Sequence, residues 1–195
     1  MINRTKEINR IIKENGYTSY LEIGLGNGAN FQDIDTELKI GVDPEYDMVK
    51  FAHLRSDGKL ASVTSDEFFF RLGIEEPQLK FDLIFIDGLH HADQVERDII
   101  NAWNCLNKGG QIIIHDVKPL DDKCQRVPRE QTTWTGDVWR AWYGLKNSYP
   151  KLKFDYIDER VGLAIIHKSR HKINLGFVDY ETTYQEYDNL KGWKV

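Results

Sequence analysis

Five short apolar runs, each ending in a glycine, a hydroxyl residue or an acid, most constrain how this chain folds. They are SYLEIG (19–24), LKIGVD (38–43), KLASVTS (59–65), FDLIFIDG (81–88) and QIIIHD (111–116). Between the fourth and fifth, HADQVERDIINAWNCL places Val95, Ile99, Ala102, Trp103 and Leu106 on one helical face. Near-continuous apolar strands alternating with helices are what a parallel sheet buried on both faces requires. Residues 1–16, MINRTKEINRIIKENG, read as a charged amphipathic helix with Ile8, Ile11 and Ile12 at helical spacing.

The end of the chain changes character. GDVWRAWYGLKNSYP (136–150) suits a helix stopped before Pro150. KFDYIDE (153–159) and VGLAIIHKS (161–169) then follow with a gap too short for a helical crossover, so they form a hairpin. A mostly parallel sheet finishing in an antiparallel pair is expected. The 195 residues contain no repeat, low-complexity tract or Pro/Gly linker, so a single domain over 1–195 is the simplest organisation.

Charge and cysteine usage narrow the partners. The net charge of −5, with no clustered Lys/Arg run, argues against nucleic acid as an obligate partner. No apolar stretch approaches the roughly 20 residues that span a bilayer, so no membrane association is expected. Cys105 and Cys124 form neither a metal-type cluster nor a disulfide framework, and a cytoplasmic location is the expectation.

The first run ends in LEIGLGNG, with Gly24, Gly26 and Gly28 spaced G-x-G-x-G. A dinucleotide turn is spaced G-x-G-x-x-G, and the third glycine does not fit it. Asp43, about 20 residues on, stands where an acid would take two ribose hydroxyls. Read alone, the glycines are equally a tight strand-to-helix connection and Asp43 a turn former.

Glu22 to Gly28 resemble motif I of the class I S-adenosylmethionine-dependent methyltransferases, E/D-x-G-x-G-x-G. The resemblance implies an α/β fold with a Rossmann-like, doubly wound, mostly parallel seven-stranded sheet ending in an antiparallel hairpin. It also implies S-adenosylmethionine held by Glu22, Gly24, Gly26, Asn27 and Gly28. Asp43 would bind the ribose, Ser65 and Asp66, ending the third strand, the adenine edge, and Asp87 would complete the cofactor set.

The stretch DGLHHADQVERDIINAWNCLNKGGQIIIHDV resembles the methyltransferase-24-like family. It is also similar to divalent-metal-dependent O-methyltransferases of catechols and macrolide sugars. That likeness implies Mg²⁺ or Mn²⁺ on Asp87, His115 and Asp116, although His115 stands where the family offers Asp or Glu. Imidazole suits Mn²⁺, Fe²⁺ or Zn²⁺ better than Mg²⁺. His90 matches the general base of the sugar enzymes, with Asp87 beside it as the second catalytic residue. A place in the first turn of the next helix would lower the His90 pKa. The plainer alternatives are a turn at Asp87-Gly88, a cap at Asp116, and His90 or His91 serving a helix N-terminus. His53, His167 and His171 carry no spacing that points to chemistry.

Residues 117–135 form a long aperiodic loop of the kind used as a lid or specificity segment. Arg126, Arg129 and Trp134 are its candidates for an acidic or sugar acceptor, and Trp139 and Trp142 either border the pocket or fill the core. The tail, 171–195, wraps the domain, closes the site or docks on a second copy in a homodimer. The expected function is S-adenosylmethionine-dependent O-methylation of a sugar or other hydroxylated small molecule, with or without a divalent metal. A metal-independent N- or C-methyltransferase and a non-catalytic cofactor-binding module remain open.

Overall fold

The chain was analysed as a computed structural model that describes residues 3–45 and 58–195. His53 lies outside them. The elements run α1 (Arg4–Asn15), β1 (Ser19–Ile23), α2 (Ala29–Gln32), β2 (Leu38–Val42), β3 (Lys59–Ala61), α3 (Ser65–Glu75) and β4 (Phe81–Ile86). They continue with α4 (Ala92–Cys105), β5 (Leu106–His115), α5 (Val138–Ser148), β6 (Phe154–Ile157), β7 (Leu163–His167) and α6 (Tyr184–Asn189).

The strands form one seven-stranded sheet in the order β3-β2-β1-β4-β5-β7-β6. Pairs from β3 to β5 are parallel. β7 pairs antiparallel with both β5 and β6, which is the expected terminal hairpin. From β1 the chain winds one way through β2 to β3, and from β4 the other way to β5. The strand order therefore reverses between β1 and β4, and a crevice opens beyond their carboxyl ends.

Alternation along the strands explains the two layers. Leu83, Phe85 and Ile113 face α1, where Ile8, Ile11 and Ile12 cover them. Ile84, Ile86, Ile112 and Ile114 face the other way, toward Val95, Ile99, Trp139 and Trp142. Successive strand side chains point to opposite faces, and both faces are covered. α1 begins at the Asn3 cap, whose side chain accepts from the Lys6 N–H, and ends at Gly16 with φ 66°.

Two boundaries differ from the sequence expectation. The third strand stops at Ala61, because Thr64 caps α3 by accepting the Glu67 N–H at 3.2 Å. Ser65 and Asp66 therefore open a helix instead of ending a strand. β5 starts at Leu106 and not at Gln111, so residues 107–110 belong to the strand, with a register shift between Phe81 and Leu83. The tail packs against α4 and α5: Glu96 Oε1 accepts the N–H groups of Gly176, Phe177 and Val178 at 2.8, 2.7 and 3.3 Å. Tyr187, fully buried, donates its hydroxyl to the Val117 carbonyl.

Candidate active site

The glycine turn is built around close approach and left-handed backbone. Gly24 has φ 87°, and a Cβ there would overlap the carbonyl of Asp87 on the neighbouring strand. Gly26, with φ 52°, has open space where its Cβ would be, and Gly28, with φ 74°, starts α2. Asn27 turns its Oδ1 back to the Ala29 N–H at 3.1 Å.

Asp43 is part of this turn. Its Oδ2 accepts from Leu25 N at 2.8 Å and Gly26 N at 3.1 Å, and its Oδ1 accepts from Glu45 N at 2.9 Å. A carboxylate has about four acceptor positions, so a ligand diol held by both hydroxyls would have to exchange one backbone contact. Glu22 lies behind the turn, buried, and accepts from the Tyr20 hydroxyl at 2.6 Å and Asn30 Nδ2 at 2.9 Å. Burial pushes its carboxyl up to about 8 against the two hydrogen bonds.

Beyond β4 and β5 four candidate residues converge. His90 Nε2 lies 3.4 Å from Asp87 Oδ1 and 3.3 Å from Asp116 Oδ2. Its Nδ1 is 3.2 Å from the Trp134 carbonyl oxygen, and the indole of Trp134 stacks on the imidazole at 5.3 Å between centroids. A carbonyl only accepts, so Nδ1 carries a proton and the Nε2 edge faces the two carboxylates. These carboxylates hold the His90 pKa above its ordinary value in spite of burial. The expected lowering does not occur, because His90 precedes α4, whose cap residue is His91.

His115 Nδ1 lies 3.1 Å from Asp87 Oδ1, and its Nε2 is 3.5 Å from Glu159 Oε2. Its acidic neighbours raise its pKa well above the ordinary value against desolvation. Arg4, from the first turn of α1, donates Nη1 to Asp87 Oδ2 at 2.7 Å. With these cations around it, Asp87 stays ionised despite burial. Asp116 adopts φ 62°, the left-handed turn that directs its carboxylate back to His90. The atoms that can converge on one cation belong to Asp87, His90 and Asp116, all within 4.8 Å of one another. His115 Nδ1 also lies against both aspartates, 3.1 Å from Asp87 Oδ1 and 3.5 Å from Asp116 Oδ2.

At the other end, Gln94 of α4 donates Nε2 toward Ser65 Oγ, Asp66 Oδ1 and Asp98 Oδ1 at 3.1, 3.2 and 3.1 Å. Asp98 is buried beneath it, and desolvation raises its carboxyl to about 6.

A cavity of about 1030 Å³ joins these groups. Gly24, Gly26, Asn27, Asp43, Ser65, Asp66, Asp87, His90, His115 and Asp116 all line it, whereas Glu22 and Gly28 do not. Arg4, Gln94, Glu159 and Arg160 also line it. None of these four carried a motif, since each reaches the site only through the packing of α1, α4 and the β6–β7 turn. From the long loop Thr133 and Trp134 reach the wall, but Trp134 spends its ring on His90. Arg126 pairs with Asp122 and Glu130, and Arg129 bonds backbone carbonyls of its own loop. Trp139 and Trp142 are fully buried in the core. His167 pairs with Asp155, and His171 contacts Ser169. No helix among the described residues is long and apolar enough to cross a membrane.

Residues 10–117 match a family described as a methyltransferase domain. A stretch of 75 residues, 38% of the chain, is 35% identical to ribosomal RNA small subunit methyltransferase H of Rickettsia canadensis (strain McKiel), and it spans 24% of that protein's length. Among solved structures the fold is similar to an O-methyltransferase from Bacillus cereus in complex with SAH. The TM-score is 0.66 at 14% identity, over 87% of this chain and 83% of that one. It is also similar to the O-methyltransferase TomG from Streptomyces achromogenes, involved in tomaymycin synthesis, in complex with SAM. There the TM-score is 0.61 at 12% identity, over 87% and 82% of the two chains. At these identities the likeness establishes the fold.

Proposed function

The chain belongs to the methyltransferase domain family that its residues 10–117 match, and from that membership we propose that it transfers the methyl group of S-adenosylmethionine to a hydroxyl of a small molecule, a sugar or other polyhydroxylated acceptor. One observation carries the hydroxyl assignment: the His90 Nε2 edge stands between Asp87 and Asp116 in the same cavity as the glycine turn. The two structural neighbours are themselves O-methyltransferases with SAH or SAM bound.

The cavity fits such a donor. The open space at Gly26 is a cradle that a side chain would fill. In this reading Asp43 takes the ribose, and Ser65 and Asp66, both bonded by Gln94, take the adenine edge. Asp43, Asp66 and Asp87 give the wall a negative bias that suits a sulfonium. When bound, S-adenosylmethionine would supply its methyl group to the acceptor oxygen and be left as a neutral thioether. The hydroxyl proton passes to His90 Nε2. Asp87 and Asp116 then stabilise the imidazolium, and Trp134 keeps the ring from turning. Much of the remaining acceleration comes from holding the nucleophile in line.

A second reading rests on the same three groups. Asp87, His90 and Asp116 form a mixed nitrogen and oxygen donor set that fits Mn²⁺ better than Mg²⁺. A divalent cation there would acidify and orient the acceptor hydroxyl. His90 Nε2 cannot both hold a cation and take a proton, so the two readings exclude each other. Calorimetry with SAM tests the donor, and absence of binding would overturn the assignment. Mn²⁺ titration of the wild type and His90→Ala then decides between base and ligand. Radiolabelled methyl transfer to a panel of hydroxyl, amine and carbon acceptors identifies the nucleophile.

A further inference from the structure

α1 opens on Asn3 and Arg4, and both stand in the cavity wall. Arg4 is tethered by one arm only. Its Nη1 donates to Asp87 Oδ2 at 2.7 Å and lies 3.3 Å from His115 Nδ1, while the guanidinium carbon sits 5.9 Å from the centroid of the Phe85 ring. Among the described residues its Nε and Nη2 have no protein acceptor. The side chain is about one-third exposed, at 35%. Arg4 and the glycine-turn residues Gly24 to Asn27 line the same cavity.

Asp87 and Arg4 thus present an anion and a cation side by side. An α-amino acid offers the complementary pair, an ammonium for Asp87 and a carboxylate for Arg4. The planar fork of Arg4 keeps parallel N–H donors for the two oxygens of such a carboxylate, which is the geometry that makes guanidinium selective for it.

We propose that Arg4 is a cofactor-binding residue that holds the carboxylate at the amino-acid end of S-adenosylmethionine. The first turn of α1 is then part of the cofactor site and selects for the intact amino acid. This assignment rests on the reading that the chain binds that donor. An acid on the acceptor is the other source of a carboxylate, and one set of titrations separates the two.

The experiment is calorimetry of the full chain with S-adenosylmethionine and with its decarboxylated analogue, in wild type, Arg4→Ala and Arg4→Lys. Wild type is expected to bind the intact cofactor about tenfold or more tightly than the analogue. Arg4→Ala should lose that preference, weakening the cofactor about tenfold while leaving the analogue unchanged. Arg4→Lys, which keeps the charge without the fork, should recover only part of it. Equal weakening of both ligands, or no weakening of the cofactor, would overturn the proposal, and the latter result would direct Arg4 to an acidic acceptor. If the alanine variant does not fold, wild type binding both ligands equally overturns it as well. A wild type that binds neither ligand overturns the donor assignment instead.

Discussion

The Trp134 carbonyl oxygen lies 3.2 Å from His90 Nδ1 while the Trp134 ring stacks on the same imidazole at 24°. One residue of the long loop therefore sets both the tautomer and the plane of the candidate base. Nitrogen-15 NMR of the imidazole, at a pH above its raised pKa, is expected to show Nδ1 protonated and Nε2 bare. Trp134→Ala keeps the carbonyl but removes the stack, so the Nδ1–H tautomer should persist while the ring gains freedom to turn. A wild-type Nε2–H tautomer would contradict this arrangement.

Gly24 and Gly26 separate packing from ligand space. Gly24→Ala places a methyl against the Asp87 backbone in a left-handed conformation. Overpacking and strain together should cost about 3 kcal/mol and lower the melting temperature by about 10 °C. Gly26→Ala meets nothing in the protein. It should cost about 1 to 2 kcal/mol from its positive φ alone yet weaken SAM binding, because the methyl projects into the cavity. Thermal melts and calorimetry on both variants check the pair, and similar melts with unchanged affinity would refute the distinction.

Asp43 has two jobs in this geometry. Asp43→Ala leaves the N–H groups of Leu25, Gly26 and Glu45 without their acceptor. The turn should loosen at a cost of about 2 kcal/mol, and SAM affinity should fall by more than that loss explains. Asp43→Asn keeps an oxygen for the turn but loses the charge. Its melting temperature should lie near wild type while cofactor affinity stays low.

Period and spacing explain why part of this was legible in sequence. The buried runs around Ile84 and Ile113 are apolar on both faces, and G-x-G-x-G allows few backbone paths, so the parallel sheet and the turn could be read directly. Ser65 reads as a strand end because the Thr64 cap competes with strand propensity only through a side-chain hydrogen bond. The expected lowering of the His90 pKa fails for a similar reason. His90 lies outside α4, which begins at Ala92, and Asp116, 26 positions away, faces the ring. Arg4 was invisible, since no local pattern tells that the first turn of α1 meets the end of β4.

Glu22 makes stability depend on pH. Its carboxyl, ordinarily near 4.5, rises to about 8 when buried in the fold. Between these values the folded chain holds a proton that the unfolded chain has released. Stability is therefore full below about pH 4.5 and falls as pH rises toward 8, by up to about 1.4 kcal/mol per pH unit from this group. Glu22→Gln mimics the protonated form and keeps an oxygen for Tyr20 and Asn30. Its melting temperature should change less than that of wild type between pH 5.5 and 8.5, and parallel pH profiles would show that Glu22 ionises without penalty.

Glu96 fastens the tail with one oxygen. Oε1 accepts three consecutive N–H groups, from Gly176 to Val178, on a side chain that is 9% exposed. Glu96→Ala leaves those donors unsatisfied and should cost about 2 to 3 kcal/mol. Because the tail lines no part of the cavity, the loss should appear as faster proteolysis beyond residue 171 and a lower melting temperature. SAM affinity, measured at a temperature where the variant is folded, should stay within about twofold of wild type, as expected for sites that share no partners. A tenfold loss of affinity would show that the tail, through α4 and Gln94, holds the cofactor end of the cavity in place.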